Sequence, residues 1–157
     1  MAGSFEVTTV IDRPIDEVFA FLADGENDPK FSPRVTEIAK TTDGPPGVGT
    51  VYASTVKDAG MKTQREFRIT EFEPPTRIRW TEQSKNLVTV PEGGYDLTSE
   101  GAGTRVTLHN VFEGHGVGKL FAPLALRAAR SGADDFGRRI KSAVEASSTG
   151  AASAEPT

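Results

Sequence analysis

From residue 34 to residue 112 the chain is a succession of six extended segments separated by turn chemistry, and this constrains its fold more than any other feature. The segments 34–41, 50–57, 62–72, 77–83, 94–99 and 104–112 read as strands. Asp43-Gly44-Pro45-Pro46-Gly47, Asp58-Ala59-Gly60, Glu73-Pro74-Pro75, Pro91-Glu92-Gly93 and Glu100-Gly101-Ala102-Gly103 separate them, and all are turn formers. Connections this short predict antiparallel pairing between neighbours.

A seventh strand precedes them at 5–11, with Phe5, Val7 and Ile11 on its core face. Asp12-Arg13-Pro14 stops it, and Pro14 suits the first turn of a helix because its missing N–H is needed by nothing there. Asp16 and Glu17 favour the positive end of that helix, and Ile15, Val18, Phe19 and Leu22 give it one apolar stripe. Residues 25–29 break the helix, and a second short helical turn is expected at 29–31. A long helix is expected over 117–146. Gly132 and Gly137 each lower its propensity by about 1 kcal/mol, so a bend near Gly132 is expected. The simplest layered solution is α+β, one antiparallel sheet with the helices on one face. Residues 5–146 form this single domain. Residues 1–4 and the small, polar stretch 147–157 are expected to be disordered, because they cannot bury enough surface to offset their ordering entropy.

Composition removes several functional classes. The chain has 157 residues, a net charge of −4 and no cysteine. Thiol catalysis, disulfide scaffolds and cysteine-held zinc are excluded. A basic excess of the kind nucleic-acid binders show is absent. No apolar run reaches the roughly 18 residues a membrane span needs, and no signal peptide is visible, so no integral membrane association and a cytoplasmic location are expected.

The element order and several segments resemble the START/Bet v 1-like superfamily, and specifically its bacterial polyketide cyclase/dehydrase and lipid-transport (SRPBCC) proteins. Phe5 to Ile11 followed by Arg13-Pro14 and Glu17-Val18-Phe19 is similar to the family's opening strand and helix. Asn27-Asp28-Pro29-Lys30-Phe31-Ser32-Pro33 resembles its short second helix, with Phe31 where relatives often have Trp. Gly47-Val48-Gly49-Thr50, Ile69-Thr70-Glu71-Phe72-Glu73-Pro74-Pro75 with Arg77-Ile78, and Gly103-Thr104-Arg105-Val106-Thr107-Leu108 complete the likeness. It implies a helix-grip fold: a strongly curved seven-stranded antiparallel sheet wrapped around a long C-terminal helix, with two short helices after the first strand. It also implies an apolar cavity between sheet and helix that takes a hydrophobic small molecule.

The residue types are compatible with such a chamber. The terminal helix carries Phe121 and Leu124 at one end and Phe136 and Ile140 at the other, with Ala125, Ala128, Ala129, Gly132 and Ala133 between. Small side chains there either leave volume or let helix and sheet approach closely. Alternation groups Tyr52, Ser54 and Val56; Arg65, Phe67 and Ile69; Ile78, Trp80 and Glu82; Tyr95 and Leu97; and Val106, Leu108, Asn110 and Phe112 on shared faces. The expected lining is therefore Tyr52, Ser54, Arg65, Phe67, Ile78, Trp80, Glu82, Tyr95, Leu108, Asn110 and Phe112 on the strands, and Phe121, Leu124, Ala125, Ala128 and Gly132 on the helix. Aromatic walls with a few polar groups are what a small-molecule site requires. Arg65 and Glu82 must pair, face water or meet a ligand, because a lone buried charge is too costly. Asn110 meets either a ligand or a neighbouring backbone. Tyr52, Tyr95 and Trp80 also suit plain core packing.

Catalytic motifs fail one by one. Residues 44–50 outline a phosphate loop without its lysine, and Pro45 and Pro46 remove donors it would need. Gly114-His115-Gly116-Val117-Gly118-Lys119 lacks a third glycine at the required spacing and reads as a hinge, which the resemblance implies would border the cavity entrance. His109, expected to face solvent, His115 and Glu113 match no usual metal spacing. His109, His115, Glu82 and Asp96 remain as possible acid or base groups without a motif to choose among them. No cofactor and no metal are expected, and the catalytic residues are unknown from sequence.

Three functions follow. The first is binding of a hydrophobic small molecule, a lipid, isoprenoid or polyketide-like compound, by a monomer or weak homodimer. The second is a polyketide aromatase/cyclase or related lyase working in the same chamber. The third is a protein-interaction module with a filled core.

Overall fold

The structure is a computed structural model that describes residues 2–58 and 60–154. The element order is β1 (Ala2–Ile11), α1 (Ile15–Ala23), a 3-10 helix (Gly25–Lys30), β2 (Val35–Lys40), β3 (Val51–Asp58), β4 (Met61–Glu73), β5 (Arg77–Glu82), β6 (Val88–Glu100), β7 (Gly103–Gly114), α2 (Gly118–Ser131) and α3 (Ala133–Ala154). Pro14 caps α1, with Asp16 and Glu17 in the first turn, and Val18, Phe19, Phe21 and Leu22 are its buried stripe. The short second helix begins at Gly25 instead of Pro29, because the Asp24 carboxylate accepts the Glu26 N–H and caps the turn earlier.

The seven strands form one antiparallel sheet in the order β1-β7-β6-β5-β4-β3-β2. Every connection between consecutive strands from β2 to β7 is a hairpin, and β1 returns to pair with β7. The antiparallel sheet with a C-terminal helical layer is the expected helix-grip arrangement. The strong curvature is not present: the sheet is open and not strongly curled. Its edges, β1 and β2, are the two ends of the strand order, and α3 packs against β1 while α2 packs against β7, β1 and β6. With the terminal helices gathered at one side, the far strands have no helix there to close around.

Three further elements differ from expectation. β1 starts at Ala2, paired with Glu113, and not at Phe5. β6 runs straight through the Pro91-Glu92-Gly93 turn signal. A one-residue bulge absorbs it, since Thr89 faces Glu113 whereas Glu92 faces Val111. Proline is tolerated in such a bulge because no ladder hydrogen bond is asked of it. The terminal helix is two helices, not one: α2 ends at Gly132, whose N–H bonds Ala128 O at 3.0 Å before α3 begins. α3 continues to Ala154, and residues 155–157 of the expected tail lie outside the described residues.

The core joins Val7 and Ile11 of β1, the α1 stripe, Phe31, Tyr52, Ile69, Ile78, Tyr95, Leu97, Val106 and Leu108 to Ile140 and Val144 of α3. Phe31 packs between Phe21 and Phe136 at ring distances of 6.4 and 5.9 Å. α1, the 3-10 helix and α3 thus close one end of the helical side of the sheet. No helix among the described residues is long and apolar enough to cross a membrane.

Candidate functional site

Strand register carries one face across the whole sheet. Gly137 of α3 abuts Val7, so Val7 marks the helical side. Val7 faces Leu108, Leu108 faces Tyr95, and Tyr95 faces Ile78. Two residues on, Asn110 faces Gly93 and Gly93 faces Trp80, which faces Ile69. Further along, Glu82 faces Phe67, Phe67 faces Tyr52, and Arg65 faces Ser54. Because side chains alternate with period 2, the eleven expected strand residues, Phe112 included, stand on this side together.

Their burial divides the face in two. Tyr52, Ile78, Tyr95 and Leu108 are buried beneath α1 and the 3-10 helix. Phe67, Trp80, Asn110 and Phe112 are half-buried and keep part of their surface open. α2 stands beside this open part. Phe121 and Leu124 of α2 are 51% and 63% exposed, Ala128 and Gly132 are exposed, and Ala125 is half-buried. A Cβ built on Gly132 would meet only Ala128 O, at 3.5 Å. The small residues of α2 are therefore not pressed onto the strands. The residues that α2 does bury are Gly118 and Ala122.

Which way the exposed flank of α2 looks follows from helix geometry. Leu126 meets Gly3 of β1, and the Arg130 guanidinium donates to Ser4 O of β1 at 2.8 Å. Both mark the flank turned to the β1 edge. At 100° per residue, Phe121 and Leu124 lie roughly 140° and 160° around the helix from Leu126. Leu124 also lies roughly 160° from the buried Ala122, so it points off the sheet, and Phe121 lies on the flank of α2 away from β1. Phe67 and Trp80 on the sheet are left partly uncovered, and Phe121, Leu124 and Ala128 stand exposed on α2.

Polar groups among the expected site residues are mostly committed. The Arg65 guanidinium donates to the Glu82 carboxylate at 2.9 and 3.1 Å and to Val88 O at 3.1 Å. Glu82 also accepts from Ser84 Oγ at 2.6 Å, Asn86 Nδ2 at 2.9 Å and Val90 N at 2.9 Å. Its side chain is 0% exposed, so this is a closed ion pair. Trp80 Nε1 donates to Asn110 Oδ1 at 3.1 Å, a partner that alternation alone could not indicate. The pair spans Gly93, where an added Cβ would lie 2.0 Å from Asn110 Oδ1 and 2.2 Å from Trp80 Nε1. The Trp80 ring meets Tyr95 edge-on at 5.2 Å. The Tyr52 hydroxyl donates to Ala23 O at 3.3 Å. His109, half-buried rather than free in solvent, is held by Glu92 at 3.0 Å, and His115 by Thr89 Oγ1 at 2.8 Å. Asp96 is paired with Arg79 at 2.9 Å. Among the described residues no three His, Asp or Glu side chains cluster as metal ligands.

One residue outside the expected set stands out. Asp28, in the 3-10 helix, is half-buried, and its carboxyl is pushed up to about 7, first by burial and then by the charge of Asp24. Its charge also reaches Tyr95 and Tyr52, and burial raises both phenols. Sequence reading passed over Asp28 because an acidic residue beside Pro29 looks like ordinary turn chemistry. Only the packing of the 3-10 helix against its neighbours takes part of its surface from water.

A seven-stranded antiparallel sheet with a C-terminal helical layer is the helix-grip arrangement. The chain belongs to the polyketide cyclase/dehydrase and lipid transport family, whose model matches residues 2–145. Among solved structures it is similar to TTHA0849 from Thermus thermophilus, at 19% identity over 93% of this chain and 99% of that one, TM-score 0.78. The Zhui aromatase/cyclase from a Streptomyces species matches at 18% identity over 92% of each chain, TM-score 0.70. A START superfamily protein from Mycobacterium smegmatis matches at 16% identity over 90% of this chain and 97% of that one, TM-score 0.70. No curated protein matches the chain.

Proposed function

We propose that this protein binds a hydrophobic small molecule, such as a lipid, isoprenoid or polyketide-like compound, in the groove between the helical side of the sheet and α2. One observation carries the reading: large apolar side chains on the helical side of the sheet, Phe67 and Trp80, and on α2, Phe121 and Leu124, lack full partners. Covering them removes apolar surface from water at about 25 cal/mol per Å². The closed Arg65–Glu82 pair supports this, since it presents no free charge to the groove. Small residues at Ala128 and Gly132 leave the wall room for a ligand's bulk. Such a function suits a monomer in the cytoplasm, consistent with the cysteine-free sequence.

The test uses Trp80, the only tryptophan. The neutral fluorophore N-phenyl-1-naphthylamine is expected to accept energy from Trp80 on titration. Leu124→Glu, at an exposed position, is expected to weaken its binding about tenfold, or about 1.4 kcal/mol. Unchanged binding in that variant would remove α2 from the site.

Asp28 favours a second reading, acid–base chemistry on the bound molecule, as in an aromatase/cyclase or related lyase. A half-buried carboxyl near neutrality is suited to both taking and returning a proton.

A further inference from the structure

Five of the eight large apolar side chains left exposed among the described residues belong to α2 or border it: Leu87, Val117, Leu120, Phe121 and Leu124. Leu120 is 74% exposed and Val117, at the helix N-cap with helical backbone, 61%. Helix geometry gathers them on one crest. Leu120 and Leu124 each lie roughly 160° from the buried Ala122, and Val117 roughly 140°, so all three point off the sheet. Leu87 extends the crest beyond the helix. A Cβ built on Gly118 would lie 1.9 Å from Leu87 O, which also accepts the His115 N–H at 2.8 Å, so the 83–87 loop is pressed against the start of α2. An exposed apolar cluster of this kind marks an interaction surface.

Charge says what the surface meets. The chain holds 22 Asp and Glu, yet none falls within residues 114–133, where Lys119, Arg127 and Arg130 stand. Lys119 and Arg127 lie roughly 60° and 140° from Ala122, on the β1 side of the crest. Both are exposed, as is Lys85 in the loop that carries Leu87. The side chains of Lys85, Lys119 and Arg127 form no ion pair and no hydrogen bond among the described residues. Arg130 alone is held, donating to Ser4 O at 2.8 Å. A protein of net charge −4 thus carries one purely basic helix, with its apolar crest turned to solvent.

We propose that this face of α2, with Leu87 and Lys85 beside it, docks the protein on an anionic lipid surface. Val117, Leu120 and Leu124 enter the headgroup–acyl boundary, and the three unpaired cations meet lipid phosphates. The contact is peripheral, since no helix among the described residues is long and apolar enough to cross a membrane. Other occupants fit less well. A symmetric pair of copies joined through this face would set Lys119 and Arg127 against their own equivalents, with no carboxylate on α2 to offset them. A nucleic acid would meet the cations and leave Leu120 and Leu124 in water. Leu87, Val117 and Leu120 have no part in the ligand reading, so the docking surface goes beyond that reading and stands without it.

The test is co-sedimentation of the full chain with vesicles of phosphatidylcholine alone and of phosphatidylcholine with about one-third phosphatidylglycerol. Binding to the anionic vesicles is expected to be about tenfold tighter, with the preference lost at about 0.5 M salt. Leu120→Glu is expected to weaken that binding about tenfold while leaving the titration with N-phenyl-1-naphthylamine, made without vesicles, unchanged. Val48→Glu, at an apolar side chain of similar exposure on the β2–β3 loop, is expected to change neither. Because the chain has no cysteine, Leu120→Cys can carry a single environment-sensitive dye, whose emission is expected to shift to the blue on anionic vesicles, whereas the same dye on Val48→Cys stays unmoved. Equal binding to the two kinds of vesicle, or equal losses in Leu120→Glu and Val48→Glu, would overturn the assignment. So would self-association abolished by Leu120→Glu without vesicle binding, which would give the face to a second copy.

Discussion

Single residues in this protein act through what they leave unpaired or pass over. Gly93 is the clearest case. The Trp80–Asn110 hydrogen bond crosses it within contact of where a Cβ would stand. Gly93→Ala is expected to displace the indole and cost about 2–3 kcal/mol, read by denaturant unfolding with a shift in Trp80 fluorescence. An unchanged spectrum would show that the bond is dispensable. Arg65→Met leaves Glu82 buried with only neutral donors, and a loss of about 3 kcal/mol is expected in the same assay. Asp28 acts in the opposite sense. Its folded value of about 7 lies above the ordinary 3.8, so the folded state holds a proton the unfolded chain has released. This group's contribution to stability therefore falls as pH rises from about 4 to about 7. Asp28→Asn is expected to match the parent near pH 4 and exceed it by about 2 kcal/mol near pH 8. A constant difference across that range would mean that the carboxyl titrates normally. None of these roles is visible in local sequence. Gly93-Gly94 inside a strand pattern is a signal that backbone or side chains approach closely, but it does not say which ones.

Secondary structure was far more legible, because it depends on local period and punctuation. The two-residue alternation in Tyr52, Ser54 and Val56, or in Ile78, Trp80 and Glu82, predicts a shared face, and the register delivers it. Pro91 misled because turn residues and bulge residues are chemically the same; what distinguishes them is whether the neighbouring strand continues, a tertiary fact. The terminal helix shows the same limit. Gly132 marks the discontinuity, but whether a glycine bends a helix or ends it depends on the packing on either side. Here α2 rests on β7, β1 and β6 and α3 on β1, and the two helices part. Gly132 has φ −93° and open surroundings, so alanine fits without strain. Gly132→Ala is expected to add about 0.5 kcal/mol by thermal unfolding through its lower unfolded-state entropy. A loss of stability would show that the break needs glycine.

At the scale of the whole molecule, the helices are unevenly distributed over an open sheet. α1, the 3-10 helix and α3 seal one end with Phe31, Phe136, Ile140 and Val144, while α2 stands along one side and leaves Trp80 and Phe67 partly bare. The resemblance in the sequence implied a strongly curved sheet; the open sheet follows from where the helices are anchored, which no local pattern encodes. The composition was likewise silent on the acidic 3-10 helix, because Asp24, Glu26 and Asp28 are unremarkable until that helix folds against Tyr52. The most direct measurement is a titration of isotope-labelled protein with N-phenyl-1-naphthylamine, following the single indole N–H resonance of Trp80 and the methyl resonances of Leu124 and Ala128. Binding in the groove predicts that all three move together and saturate at one equivalent. Shifts confined to the outer face of α3, around Arg138 and Ser142, with Trp80 unmoved, would contradict it.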